Sequence, residues 1–368
     1  MEYESEKPQK RMIDCSAEDH GQDFTYLSFD NYNNDNPLIE NFDHDDLWEE
    51  KDSAHYFSLQ ELNAQTLPVD YFYNRSQTQK ITDDELLTWM CSILKHAPNA
   101  RPMLKEASEK DWFIALDDLE GSDYRMNVEE RTLILDNSGL SADALARSDY
   151  FLNRLLVIMT KTLRDVWQEK RFGGFDEDYT PKNVILMERV RAADLDILSI
   201  LVAWELQAEG YEECWYHLTG SQSADMAMVF SSYLERKPAQ SLDMRQALLA
   251  AFKQWFNEPS RIDSCDHDTL EYLDEVLENS EFVNPFGYKQ PGKMNIEMLS
   301  CLPGKSAYLQ GLGGEIIRNS HFTAITNDIN KAHLNHITHD IESVTIEHVS
   351  FRDSVLAQKI FPENFAEQ

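Results

Sequence analysis

The residues best spaced for chemistry lie in the stretch MTKTLRDVWQEKR, Met159 to Arg171. On a helix, positions 161, 162 and 165 have the spacing of an H-E-x-x-H motif, in which two histidines hold zinc and the glutamate acts as a base. Here these positions carry Lys161, Thr162 and Asp165. An ammonium group repels a zinc ion, and a threonine hydroxyl cannot deprotonate a bound water near neutral pH. We therefore predict that no zinc hydrolase operates at this place.

The charged side chains of this stretch also have a structural interpretation. Positions 154, 158, 161 and 165 lie opposite a stripe of leucines, which is typical of a solvated helix face. Lys161 and Asp165 are one helical turn apart, so we predict a surface ion pair between them that is worth about 0.2–0.5 kcal/mol. Because such pairs are ordinary on helix surfaces, this interpretation is favoured over a catalytic role.

A single carboxylate, Asp194, lies on a mostly apolar stripe of a second predicted helix. A carboxylate that becomes buried requires a cationic partner. The candidates are Arg164, Lys161 and Arg191. We favour a structural ion pair over a ligand-binding one, because buried charge networks often exist without any function.

A second candidate site is HLNHITHD, in which His333, His336 and His339 recur every three residues. Steps of three drift around a helix, so adjacent histidines could share a metal ion, whereas all three fit poorly on one. If the backbone left the helical conformation, three histidines and a water would form a zinc shell. A helical face is favoured, and zinc is expected as a cofactor only under this alternative.

Composition narrows the partners and the compartment. The chain has 368 residues and a formal net charge of -33, which opposes binding to nucleic acid or to an anionic membrane. No apolar run approaches the roughly 20 residues that cross a bilayer, and the first residues lack the features of a signal peptide. The five cysteines are far apart and form no C-x-x-C pair. We therefore expect a cytoplasmic protein with reduced cysteines, and a protein or peptide as its unknown partner.

The first part of the chain differs from the rest. Residues 1–80 mix carboxylates and asparagines with scattered aromatic residues and show neither helical nor strand periodicity. The composition predicts a disordered acidic arm. As an alternative, interleaved apolar residues could dock on a partner as a short motif; these are Tyr26, Phe29, Leu38, Phe42, Leu47 and Trp48.

The remaining elements define an α+β fold that is predominantly α-helical. WFIALDD and YRMNVEERTLILD have strand character, and VEER between alternating runs favours a hairpin, so a small antiparallel sheet is expected. From Ser141 onward a helical body follows. A second long helix begins at Thr180 and Pro181, and its segment ILSILVAW is apolar all round, which predicts a place at the centre of the domain. The folded domain, which comprises the sheet and the helical body, is assigned to residues 81–318, and residues 319–368 are assigned to a helical or extended C-terminal extension.

Three blocks, LRDVWQEKR, MERVRAADLDILSILVAWELQAEGYEECW and FKQWFNEPSRIDSCDHDTLEYLDEVL, resemble a bacterial metallopeptidase-domain family of the zincin-like, H-E-x-x-H type. The similarity extends from about residue 100 to residue 312. Family members of the peptidase type carry an H-E-L-R-H-A-W-Q-like helix and a second helix with an E-A-D-A-like segment. The matching positions are Leu163, Arg164, Trp167 and Gln168 on the first helix and Ala193 and Asp194 on the second.

The resemblance implies a zincin-like active-site helix whose metal ligands are absent. The two histidines and the glutamate of the motif fall on Lys161, Asp165 and Thr162, and the acidic residue that opens the second segment falls on Ala192. Asp194 alone keeps a plausible metal-facing carboxylate, and one carboxylate cannot hold zinc. The expected function is that of a non-catalytic binding or regulatory protein. The alternative is a metal-dependent hydrolase that uses the three histidines or an unrecognised site.

Overall fold

The computed structural model describes residues 25–27, 54–72, 78–176, 178–236, 241–280, 284–304, 306–342, 344–346, 349–351 and 359–360. Within these residues the fold is predominantly helical with a small sheet near its start, so the expected α+β class is confirmed. The strands are β1 (Thr25–Leu27), β2 (Phe57–Ser58), β3 (Phe113–Asp117), β4 (Tyr124–Asn127), β5 (Thr132–Asp136), β6 (Val344–Ile346) and β7 (Val349–Phe351). The helices are α1 (Leu59–Ala64), α2 (Asp83–Leu94), α3 (Ala100–Glu109), α4 (Ala142–Ala146), α5 (Asp149–Phe172), α6 (Pro181–Ala208), α7 (Glu213–Thr219), α8 (Ala224–Arg236), α9 (Ser241–Trp255), α10 (Pro259–Asn279), α11 (Lys293–Leu299), α12 (Gly313–Arg318), α13 (Ser320–Thr323) and α14 (Asp328–Glu342).

The main sheet has the strand order β1-β4-β5-β3-β2. β4 and β5 form the expected antiparallel hairpin, with Met126 opposite Leu133. The sheet as a whole is mixed, however, because β5 pairs with β3 in parallel, with Ile114 opposite Leu133. β5, the second strand of the hairpin, lies between β4 and β3, so it runs opposite to β4 and in the same direction as β3. The expectation of a wholly antiparallel sheet was therefore wrong for this one pair.

The predicted boundary of the arm at residue 80 was wrong for residues 54–72. Leu59 and Leu62 of α1 are 0% and 3% exposed and belong to the core. The Trp89 indole N–H donates to the Val69 carbonyl over 3.1 Å, which fastens the following segment to α2. The few apolar residues of this segment bury efficiently even though the surrounding composition is acidic. β1 also pairs with β4, and the rest of residues 1–53 lies outside the described part of the chain.

The helical body is organised around α5 and α6. α6 contacts α5, α7, α9, α10 and α11, which confirms that the helix with the all-round apolar segment lies at the centre. α14 packs on α10 and α6, and its Ile337 is fully buried. The Arg189 guanidinium of α6 donates to the Phe322 carbonyl of α13 over 2.7 Å. The described residues that follow 318 up to 342 therefore pack on the body.

Among the cysteines that the structure describes, Cys301 differs from the expectation. Cys91, Cys214 and Cys265 carry free, buried thiols, as expected for reduced cysteines. Cys301 is disulfide-bonded, which contradicts the expectation for that residue. Among the described residues, none of the helices combines the length and the apolar character that a bilayer crossing requires.

Candidate functional site

The candidate site lies where α5 and α6 pack side by side. α5 ends at Gly173, whose φ of 62° is in the left-handed region that glycine tolerates. α6 begins at Thr180, which is extended, with Pro181 at the first helical position, where the missing N–H leaves no hydrogen bond unmade. The charged residues of the two helices pair with residue numbers rising on α5 and falling on α6, so the helices run antiparallel.

Asp194 is fully buried and accepts three hydrogen bonds. Its Oδ2 atom accepts from Arg164 Nε and from Gln168 Nε2, each at 2.6 Å. Its Oδ1 atom accepts from the Tyr308 hydroxyl at 2.9 Å. The prediction of a buried carboxylate with a cationic partner is confirmed, and the partner is Arg164, which is itself 0% exposed.

The other atoms of Arg164 fasten α5 to the end of α11. Its Nη2 atom donates to the carbonyls of Leu299 and Cys301 over 3.0 and 2.8 Å. Carbonyls at the end of a helix have no partner within the helix, and a cation is favoured there. The Arg164 Nη1 and Gln168 Oε1 atoms have no hydrogen-bond partner. This ion pair therefore connects α5, α6 and α11 in the interior.

Asp165 forms a second buried ion pair. Its carboxylate accepts from Arg191 Nε at 3.0 Å and from the Tyr124 hydroxyl of β4 at 2.9 Å. Arg191 also donates through Nη2 to Glu169 over 2.7 Å, so one guanidinium serves two carboxylates. Asp165 is 1% exposed, and the prediction that it lies on a solvated face was wrong. The face opposite the leucine stripe is covered by α6 and by β4.

Lys161 and Thr162 are also engaged within the fold. The Lys161 ammonium lies 2.7 Å from Asp196 Oδ1, so the predicted pair with Asp165 does not form. The Thr162 hydroxyl donates to the Ile158 carbonyl over 2.9 Å and is 0% exposed. Each position that the H-E-x-x-H spacing would assign to a ligand or a base thus has another partner.

The low polarity of the interior shifts the protonation equilibria of the site. Burial raises the pKa of the Asp194 carboxyl, and the bonds from Arg164, Tyr308 and Gln168 oppose this shift. Burial likewise raises the pKa of Glu169, which shares Arg191 with Asp165. The pKa of the Tyr308 hydroxyl lies well above its usual range, because burial and the neighbouring carboxylate both disfavour the phenolate. Tyr308 therefore acts as a hydrogen-bond donor and not as a base.

These residues do not fit a zinc ion. A catalytic zinc site needs about three nitrogen, sulfur or carboxylate ligands around one point and an open position for water. Asp165 and Asp194 are directed to two different arginines, and the Lys161 ammonium stands at the position of the first histidine of the motif. Within the described ranges, no three or more His, Cys, Asp or Glu side chains are grouped so that they could hold a metal ion. The arrangement of these side chains therefore supports no catalytic step through zinc.

The three histidines of the alternative site lie on one continuous helix, α14. His333 pairs with Asp274 of α10. His336 and His339 each lie beside Asp340, at 3.1 and 3.2 Å. The break in the helix that three-histidine coordination would need is not found within α14, and the side chains are engaged by two separate carboxylates.

A cavity that sequence reasoning missed lies at the start of α6. Its volume is about 650 Å³, and it opens between α6, residues 284–288 and α14. Its wall combines apolar side chains with two lysines and one glutamate, among them Pro181, Lys182, Tyr288, Lys331, Leu334, Ile341 and Glu342. These residues come from three segments that are distant in sequence, so no local pattern could have predicted the cavity.

The fold is a helical α+β domain in which two long antiparallel helices, α5 and α6, are joined by buried ion pairs. The chain belongs to the family described as "Putative metallopeptidase family", whose model matches residues 62–309. The resemblance drawn from the sequence is thus confirmed, and the match begins earlier than expected, within α1. No curated protein and no solved structure matches the chain.

Proposed function

We propose that this chain is a non-catalytic, metallopeptidase-like protein that acts as a binding or regulatory protein in the bacterial cytosol. The observation that carries the proposal is the use of Lys161, Thr162, Asp165 and Asp194 in internal contacts. Three of them are at most 1% exposed, namely Thr162, Asp165 and Asp194. Side chains in this state lack the access to water that hydrolysis requires.

The buried ion pairs give the helix pair α5 and α6 a structural role in the protein. A charge that is buried without its partner costs several kcal/mol, so α5 and α6 are held in one relative position. A rigid helical body of this kind is suited to present a fixed surface to a partner, because little conformational entropy is lost on binding.

The proposed partner is a protein or a peptide. A net charge of -33 opposes nucleic acid and anionic lipid surfaces. The cavity at the start of α6 supports a binding role, since it combines apolar walls with Lys182 and Lys331. The acidic arm is proposed as a second contact.

The metal content of the protein tests the non-catalytic assignment. Protein purified without a histidine tag should contain well under one equivalent of zinc by elemental analysis. Stoichiometric zinc together with hydrolysis of a peptide substrate would refute the proposal. If zinc is found, the double variant His336→Ala/His339→Ala decides its location: release of the metal would establish the alternative of a hydrolase at the histidines of α14.

A further inference from the structure

The outer edge of β4 is covered by a segment of the acidic arm. β1 pairs with β4 in antiparallel orientation, with Thr25 opposite Asn127, Tyr26 opposite Met126 and Leu27 opposite Arg125. β1 ends the strand order, so β4 would be the edge of the sheet without it. An uncovered edge strand presents unpaired N–H and C=O groups that pair readily with another extended chain.

β1 is an accessory to the sheet, whereas β4 is an integral part of it. β1 contributes three residue pairs with one neighbour, and β4 forms four pairs with β5 on its other side. Tyr124 and Met126 of β4 are 6% and 0% exposed, so β4 is anchored in the core by its own side chains. The pairing of β4 with β5 therefore does not depend on β1.

The position of β4 is fixed by the buried ion pairs. The Tyr124 hydroxyl donates to Asp165, and Asp165 is held by Arg191 of α6. The edge of β4 is consequently a rigid template, and a peptide that pairs with it has only its own conformational entropy to lose.

We propose that the β4 edge is a peptide-binding surface, that β1 covers it in the isolated protein, and that an extended segment of a partner protein replaces β1. This rests on the proposed function as a binding protein and assigns the kind of partner. The strand that covers the edge has acidic and aromatic surroundings, EDHGQDFTYLSFD. Arg125, which is exposed at the edge, is complementary to acidic residues. The partner segment is therefore an extended peptide with aromatic residues and one acidic residue beside Arg125, bound through backbone hydrogen bonds by strand addition.

The test uses the full chain with a weakened β1. Successive residues of a strand direct their N–H groups to opposite sides, so in Tyr26→Pro/Leu27→Pro one of the two prolines removes a donor that faces β4. The matched control is Asn33→Pro/Asn34→Pro, which places two prolines in the arm beyond β1. The probe is a fluorescein-labelled peptide with the sequence of residues 19–31, DHGQDFTYLSFDN, measured by fluorescence anisotropy.

The Tyr26→Pro/Leu27→Pro protein should bind the probe at least about tenfold more tightly than the wild type and the control, because the tethered β1 no longer competes at a high effective concentration. A probe that carries the same two prolines should not bind. Equal affinities for all three proteins, or no binding to the variant, would overturn the proposal. If the variant does not unfold cooperatively, Tyr26→Gly/Leu27→Gly replaces it, since glycine weakens a strand without removing a donor.

A second copy of the chain is the rival occupant. If the wild type forms a dimer that the two prolines abolish, β1 is exchanged between copies, and the assignment of a partner peptide is overturned. Zinc content and probe binding are independent measurements. A failure of the peptide experiment is therefore distinguishable from a failure of the non-catalytic assignment.

Discussion

Replacement of Asp194 by asparagine isolates the contribution of the central ion pair. Asp194→Asn keeps the size of the side chain but removes the negative charge beside Arg164. The amide oxygen can still accept from Arg164 Nε and Gln168 Nε2, which both point at the same oxygen of Asp194, but the new N–H₂ then faces the Tyr308 hydroxyl, which must change from donor to acceptor. Arg164 is 0% exposed and cannot turn toward water. The expected loss in the free energy of unfolding is about 3–5 kcal/mol, the usual cost of a buried ion that loses its partner.

Urea denaturation of the variant and the wild type measures this loss, provided that the slope with denaturant is unchanged. Asp196→Asn is the matched control on the same helix. Asp196 is 19% exposed, and asparagine keeps an oxygen for the Trp255 indole N–H that donates to it over 2.9 Å, so the loss of the pair with Lys161 should cost about 1 kcal/mol. The double variant Arg164→Met/Asp194→Leu leaves no buried charge, but the Leu299 and Cys301 carbonyls and the Tyr308 hydroxyl lose their partners, so it should recover only part of the loss.

A loss for Asp194→Asn below about 1 kcal/mol, or one equal to that of the Asp196→Asn control, would refute the reasoning. Either result would mean that water reaches Arg164 when its partner is removed. The interior between α5, α6 and α11 would then be less well sealed than the three hydrogen bonds to Asp194 indicate.

Two further predictions concern Glu169 and Gly313. Burial raises the pKa of Glu169, so the stabilising contribution of this side chain is complete below its ordinary pKa and declines as the pH rises. The free energy of unfolding of Glu169→Gln, relative to that of the wild type, should therefore increase between about pH 4 and pH 7. A constant difference between the two proteins would contradict the shift. A Cβ atom at Gly313 would lie 2.1 Å from the Lys293 carbonyl oxygen, so Gly313→Ala should lower the free energy of unfolding by about 1–3 kcal/mol. Gly314→Ala is the control: the added Cβ atom would have its nearest contact at an ordinary 3.5 Å, so the melting temperature of this variant should not fall.

Much of the fold could be predicted from local sequence patterns. The hairpin of β4 and β5 and the long helices α5 and α6 follow from alternation, capping and apolar spacing, which act between near neighbours. The absence of zinc chemistry at the H-E-x-x-H spacing was likewise a prediction from side-chain chemistry at Lys161 and Thr162. Elemental analysis of the zinc content is the test of this prediction.

The pairing of charges could not be predicted in this way. Arg164, Lys161 and Arg191 were all candidate partners of Asp194, and each has a different carboxylate in the structure. The antiparallel register of α5 and α6 decides among them, and this register depends on how the two helix surfaces fit together.

The sequence by itself determined the α+β class, the two long helices α5 and α6, and the need of Asp194 for a cation. Only the tertiary structure decided that Asp165 is buried, that residues 54–72 join the core, and that β1 covers the edge of β4. The physical reason is that hydrogen bonding along a helix is local, whereas burial depends on which distant surfaces meet. A helix face opposite an apolar stripe is solvated only if nothing else packs on it, and here α6 and β4 do.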